Sequence, residues 1–111
     1  MNAGRLIEAV ALDSPVQLSD GQGGTETGWS EQHACRARFT WLRGGETVMA
    51  GRLQGKQPVV IRVRACAATD AVTTDWRVRD TRRGSVFNIR SIIPSDDRAF
   101  LDMTCETGVA V

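Results

Sequence analysis

Residues 55–66, GKQPVVIRVRAC, change character at every second position. Val59, Ile61, Val63 and Ala65 fall on one side of an extended chain, and Val60, Arg62, Arg64 and Cys66 on the other. A period of two is the repeat of a strand with one buried face, and it cannot wrap an apolar stripe onto a helix. The pattern recurs along the chain. Cys35, Ala37, Phe39 and Trp41 alternate with Ala34, Arg36, Arg38 and Thr40. Trp76 and Val78 stand against Arg77 and Arg79; Phe87, Ile89 and Ile93 against Asn88 and Arg90. Ala99, Leu101, Met103 and Cys105 stand against Phe100, Asp102, Thr104 and Glu106.

With Leu6 to Leu12 as a first strand, this makes about six strands punctuated by Asp13-Ser14-Pro15, Gly44-Gly45, Thr69-Asp70, Arg82-Arg83-Gly84 and Pro94-Ser95-Asp96-Asp97. Such regular punctuation predicts a mainly β chain, a small antiparallel barrel or sandwich. Residues 46–55, ETVMAGRLQG, break the period: Met49 and Leu53 share a helical face, Glu46 sits in the first turn and Gly55 can end it. One short inserted helix is expected there. Residues 19–28, SDGQGGTETG, hold four glycines and no apolar side chain. They cannot bury enough surface to offset their ordering entropy, so a long flexible loop is expected, with Trp29 anchoring its end. At 111 residues the whole chain, 1–111, is read as one domain.

Little of this supports catalysis. His33 is the sole histidine, and no HExxH, metal-ligand cluster or GxSxG elbow occurs. DGQGGT lacks the Lys-Ser/Thr of a phosphate cradle, and Asp96-Asp97 reads as a solvated turn. Cys35, Cys66 and Cys105 are odd in number and lack a CxxC pair, which argues against a disulfide framework or zinc site. Cys35 and Cys105 read as small buried hydrophobes, and a reactive thiol would need a cation nearby. No cofactor, metal or small-molecule substrate is expected. No apolar run is long enough for a membrane span, and the N-terminus shows no secretory leader, so assembly in a cytoplasm is expected.

The arginines are the distinctive chemistry. Thirteen of the fourteen basic residues are arginine, against thirteen acidic ones, for a net charge of +1. Arg36, Arg38, Arg62, Arg64, Arg77, Arg79 and Arg90 all lie on strand faces turned from the expected core. Asp13, Asp20, Glu26, Asp70, Asp75, Asp80, Asp96 and Asp97 fall in expected loops, and Glu8, Asp102 and Glu106 on strands. Arginine forms fixed bidentate pairs and suits interfaces. A gathered basic face could pair with a second copy, line a wall against DNA phosphates, or be a solvated face with local ion pairs.

In order and spacing the chain resembles the head–tail joining proteins of tailed bacteriophages and of gene transfer agents, also called head-closure or stopper proteins. The likeness runs through GRLIEAVALDSP, the glycine-rich loop closed by Trp29, ARFTWLRGGETVMAGRLQG, VVIRVR and DWRVRDTRRGSVFNIRSIIPSDDRAFLDMTCE. Phe87 stands where that family often has tyrosine. The resemblance implies a small β-barrel with an inserted helix that assembles into a homo-oligomeric ring, six- or twelve-fold, at the virion neck. That ring would close the portal after DNA packaging, meet the portal or adaptor ring above and tail proteins below, and surround packaged DNA. The seven arginines are then candidates for subunit-interface or channel positions. Asp20, Gly21, Gln22, Gly23, Gly24, Thr25 and Glu26 form a candidate assembly loop, and residues 43–57 a second protrusion. Two alternatives are a tail-terminator or other neck ring protein, and a free-standing OB-like nucleic-acid-binding domain.

Overall fold

The computed structural model describes residues 6–19, 21–42 and 57–107. Six antiparallel strands form one sheet that closes on itself: β1 (Glu8–Ser19), β2 (Thr25–Trp41), β3 (Pro58–Arg64), β4 (Arg77–Asp80), β5 (Val86–Pro94) and β6 (Phe100–Glu106). A four-residue helix, α1 (Ala67–Asp70), joins β3 to the segment before β4. Around the ring the order is β1-β2-β3-β6-β5-β4, with β4 returning to β1. The mainly β expectation is met.

The alternation read from sequence fills the interior. Val59, Ile61 and Val63 of β3 are fully buried, as are Val10 and Leu12 of β1, Ala37 of β2, Val78 of β4 and Met103 and Cys105 of β6. Phe87 and Ile89 of β5 close the cluster. A ring this small has an interior just large enough for these side chains, so the core is packed rather than hollow.

Two bulges redirect the pattern. In β1–β2 the register shifts between Leu12, opposite His33, and Asp13, opposite Glu31, so Gln32 is the extra residue. A bulge bends and twists a strand pair, and here it marks where the pair leaves the ring. β4 covers β1 only over Val10–Asp13, and β3 covers β2 only over Ala37–Trp41. Beyond these limits, Ser14–Ser19 and Thr25–Ser30 pair, among the described residues, only with each other. They form a two-stranded arm about 20 Å long. The arm explains why the molecule measures 50 × 36 × 24 Å, with a radius of gyration of 15.0 Å, against about 13 Å for a compact chain of this length.

The arm corrects the expected loop. Thr25–Gly28 lie in β2, and bends occupy only Gly21–Gly23, with Gly21 and Gly23 at φ of +80° and +86°. The ribbon pairs Ser14–Ser19 with Thr25–Ser30 through the backbone and shows no buried apolar face, so composition does not reveal it.

The second bulge, at Arg90 in β5, shifts the register between Ile89 and Ser91. Ile92 therefore packs on the core and Ile93 is 61% exposed, reversing the expected orientation of Ile93. The helix expected over 46–55 and all but the last residue of the 43–57 protrusion lie outside the described residues. α1 forms where a turn was expected, at Thr69-Asp70: Thr69 and Asp70 donate their backbone N–H groups to the Cys66 carbonyl at 3.1 and 3.0 Å.

Candidate functional site

The arginine strands do point outward, but ring order divides them. β2 and β3 are neighbours and carry Arg36, Arg38, Arg62 and Arg64, with Arg38 directly opposite Arg62. β4, with Arg77 and Arg79, is separated from β2 by β1, and β5, with Arg90, from β3 by β6. They do not gather into one patch.

Four of the seven arginines meet carboxylates of their own chain. Register places Arg62 opposite Asp102, and the pair is bidentate: Nε to Oδ1 at 2.6 Å and Nη2 to Oδ2 at 2.7 Å. Asp13 faces Arg77 across β1–β4 and lies at the base of the arm, 2% exposed. It accepts hydrogen bonds from Arg77 Nε at 2.9 Å and from Arg79 at 3.1 and 3.3 Å. Arg79 also reaches Glu31 at 2.7 Å, and Arg77 stacks on Trp29, 4.6 Å from the ring centre. Trp29 thus anchors the arm through a guanidinium rather than the core. Burial alone would raise the Asp13 pKa; hydrogen bonds and charges of Arg79 and Arg77 outweigh it and hold the carboxyl below its usual range. Arg90 sits 3.4 Å from Glu106.

Asp80, expected in a loop, instead ends β4 with 1% exposure. It takes the backbone N–H groups of Arg82 and Arg83 and the Arg83 guanidinium, at 2.9, 3.1 and 2.8 Å. Its burial favours a higher pKa, but these donors, led by Arg83, pull it down. The turn closes through Gly84, at φ of +81°.

Arg36, Arg38 and Arg64 form no ion pair among the described residues. Arg64 shares the face of Phe100 with Arg62, their guanidiniums 5.7 and 5.2 Å from the ring centre. Phe100 points away from the core, as alternation predicts, yet is 8% exposed because these arginines cover it.

Beside this surface lies a feature the sequence reading missed. An open cavity of about 380 Å³ is lined by Leu6, His33, Cys35, Arg36, Arg64 and Cys66, among others. Cys66 Sγ is 3.8 Å from His33 Nε2, and the backbone N–H of Thr69 holds the thiol below its ordinary range. Burial pushes Cys35 up to about 11 and Cys105 up to about 12. Among the described residues no group of three or more His, Cys, Asp or Glu side chains could hold a metal, and no helix is long and apolar enough to cross a membrane.

The described residues make a filled antiparallel β-ring with a projecting ribbon and no metal-ligand cluster. The chain belongs to the phage head completion protein family, whose model matches residues 1–108. It is a structural virion protein rather than an enzyme, in agreement with the head–tail resemblance. The fold is shared with protein SF1141 from Shigella flexneri 2a, at 21% identity over the whole of both chains and a TM-score of 0.70. It is also shared with a chain of a native gene transfer agent virion, at 22% identity over 93% of this chain and 94% of that one, TM-score 0.63. No curated protein matches the sequence.

Proposed function

We propose that the chain is a subunit of a homo-oligomeric ring at the virion neck, formed in the bacterial cytoplasm, which closes the portal after DNA packaging and gives the tail its docking surface. The observation that carries this reading is the arm. Two-stranded ribbons are marginal in water on their own, and this one extends past every other strand among the described residues. A second copy supplies what it lacks. A cyclic ring needs two different complementary patches on each subunit. The arm, with exposed Glu26 and the bend at Gly21–Gly23, is one; Arg36, Arg38 and Arg64 on β2–β3 are the other. Arg62, Arg77, Arg79 and Arg90 support the fold through their own carboxylates and contribute to assembly indirectly. The portal or adaptor ring would lie on one side and the tail on the other, with packaged DNA in the channel.

Free DNA binding of the OB type is less well supported. The faces of Phe100 and Trp29, which could stack on bases, are occupied by guanidiniums. A neck ring of another kind, such as a tail terminator, shares the same geometry and is separated by its partner.

The test is the double variant Arg36→Glu/Arg64→Glu. Neither residue has an ion pair to lose among the described residues, and Arg64 gives up only its place on the Phe100 ring, so thermal stability should stay within about 1 kcal/mol of the wild type. Analytical ultracentrifugation with the cognate portal and adaptor should show a ring with the wild type and none with the variant. Particles complemented with the variant should then lack tails. Normal rings and tails would remove these arginines from the interface, and tailed particles made without the chain would remove the proposal itself.

A further inference from the structure

The Cys66 cavity holds a thiol–imidazole pair that neither the fold nor the proposed assembly role requires, beside two arginines, Arg36 and Arg64, that the proposed assembly also uses. Three features converge there. An exposed thiol lies within weak hydrogen-bond reach of an imidazole, at 3.8 Å. Two guanidiniums, Arg36 and Arg64, line the same cavity and have no carboxylate partner among the described residues. The volume, about 380 Å³, falls within the range of small-molecule sites. Thiolates are the nucleophiles in disulfide exchange, and at Cys66 the backbone N–H of Thr69 favours that form, against burial and the Asp70 charge. Guanidinium forks match carboxylates geometrically.

We propose that this cavity is a modification site at which Cys66 exchanges with anionic low-molecular-weight disulfides, the chemical class of glutathione disulfide. His33 accepts the thiol proton, and the Cys66 thiolate attacks one sulfur of the disulfide. A new S–S bond forms as the old one breaks, and the other half leaves as a thiolate that takes up the proton. Cys66 is oxidised to the mixed disulfide and the leaving half is reduced, so no further oxidant enters. Arg36 and Arg64 hold the carboxylates of the incoming disulfide. The chain carries its own controls, because burial keeps the Cys35 and Cys105 thiols protonated.

The inference does not depend on ring formation and is read on the isolated full chain. The reduced protein is treated under native conditions with anionic 5,5′-dithiobis(2-nitrobenzoate) and with neutral 4,4′-dithiodipyridine, each rate normalised to that of a free cysteine derivative. Mass spectrometry locates the adduct. One equivalent should add at Cys66, at least ~tenfold faster than at the half-buried Cys35 and the buried Cys105. Glutathione disulfide should add its mass at the same residue. The anionic reagent should be favoured. Added salt should erode that preference in the wild type, and Arg36→Gln/Arg64→Gln should abolish it. His33→Gln should slow both reagents. Labelling of Cys35 or Cys105 at a rate equal to that of Cys66, or an anionic-to-neutral ratio unmoved by salt and by the arginine variant, would overturn the proposal.

Discussion

Replacing Asp13 with asparagine removes one charge from the clamp at the base of the arm. The carboxylate is 2% exposed and receives three hydrogen bonds from Arg77 and Arg79 at 2.9 to 3.3 Å. Removing one partner of a fully buried pair costs about 3–5 kcal/mol. Here the two guanidinium side chains are 19% and 32% exposed, and Arg79 keeps Glu31 at 2.7 Å. Water and Glu31 therefore recover part of the loss, and the asparagine carbonyl still accepts a neutral bond. The expected cost is about 2–3 kcal/mol, which lowers Tm by about 10–20 °C in a domain near this size. Chemical denaturation at several pH values provides the check. Because the folded carboxyl titrates below its usual range, the unfolded chain binds its proton more readily. The contribution is therefore complete above the unfolded pKa of about 3.9 and disappears as pH falls through the folded value. The free-energy gap between wild type and Asp13→Asn should be flat from pH 7 to about 5 and should narrow below about 4. A gap under about 0.5 kcal/mol at pH 7, or one that stays constant down to acid unfolding, would refute the assignment of the clamp to this charge.

Two further substitutions probe the ring itself. Met103→Ala empties the centre of a core in which that side chain is fully buried, and should cost about 2–5 kcal/mol in urea denaturation. Gly84→Ala meets no atom within 4 Å but keeps φ at +81°, so its cost should be purely conformational, about 1–2 kcal/mol by the same assay. A neutral result at Gly84 would mean that the β4–β5 turn adopts another conformation in solution.

How much of this was legible depended on whether each strand keeps its period. β3 and β6 run without a bulge, and Val59, Ile61, Val63, Leu101, Met103 and Cys105 all face the core as alternation demands. β5 inserts Arg90 as an extra residue, and from that point the period predicts the wrong face; a single sequence has no marker for such an insertion. The arm was missed for a different reason. A strand is visible in composition when one face is buried, whereas Thr25–Thr27 are exposed on both faces and, among the described residues, pair with β1 alone. Polar glycine-rich sequence is compatible with a loop or with a ribbon, and the choice rests on cross-strand bonds that no local window contains.

The same distinction separates the legible part of the surface from the rest. Alternation alone decides that Arg62, Arg77 and Arg79 point away from the core. Whether they are available to another molecule depends on register between strands far apart in sequence. Arg62 meets Asp102 because β3 and β6 pair with those residues opposite, and Arg77 meets Asp13 through β1–β4. These contacts convert apparent contact arginines into braces of the fold, which makes charge reversal at Arg62 a poor probe of assembly: it would set two carboxylates against each other across β3–β6. Arg36 and Arg64 escape because register gives them Ala9 and Phe100 as opposite neighbours instead of an acid. Among the seven strand-face arginines, those left without a carboxylate are set by which cross-strand positions lack one, and Arg36, Arg38 and Arg64 lie together on β2–β3. Cations unpaired among the described residues at one place and a ribbon that leaves the sheet at another are what the neighbour in the proposed ring would complete. That physical asymmetry, more than the number of arginines, argues for assembly.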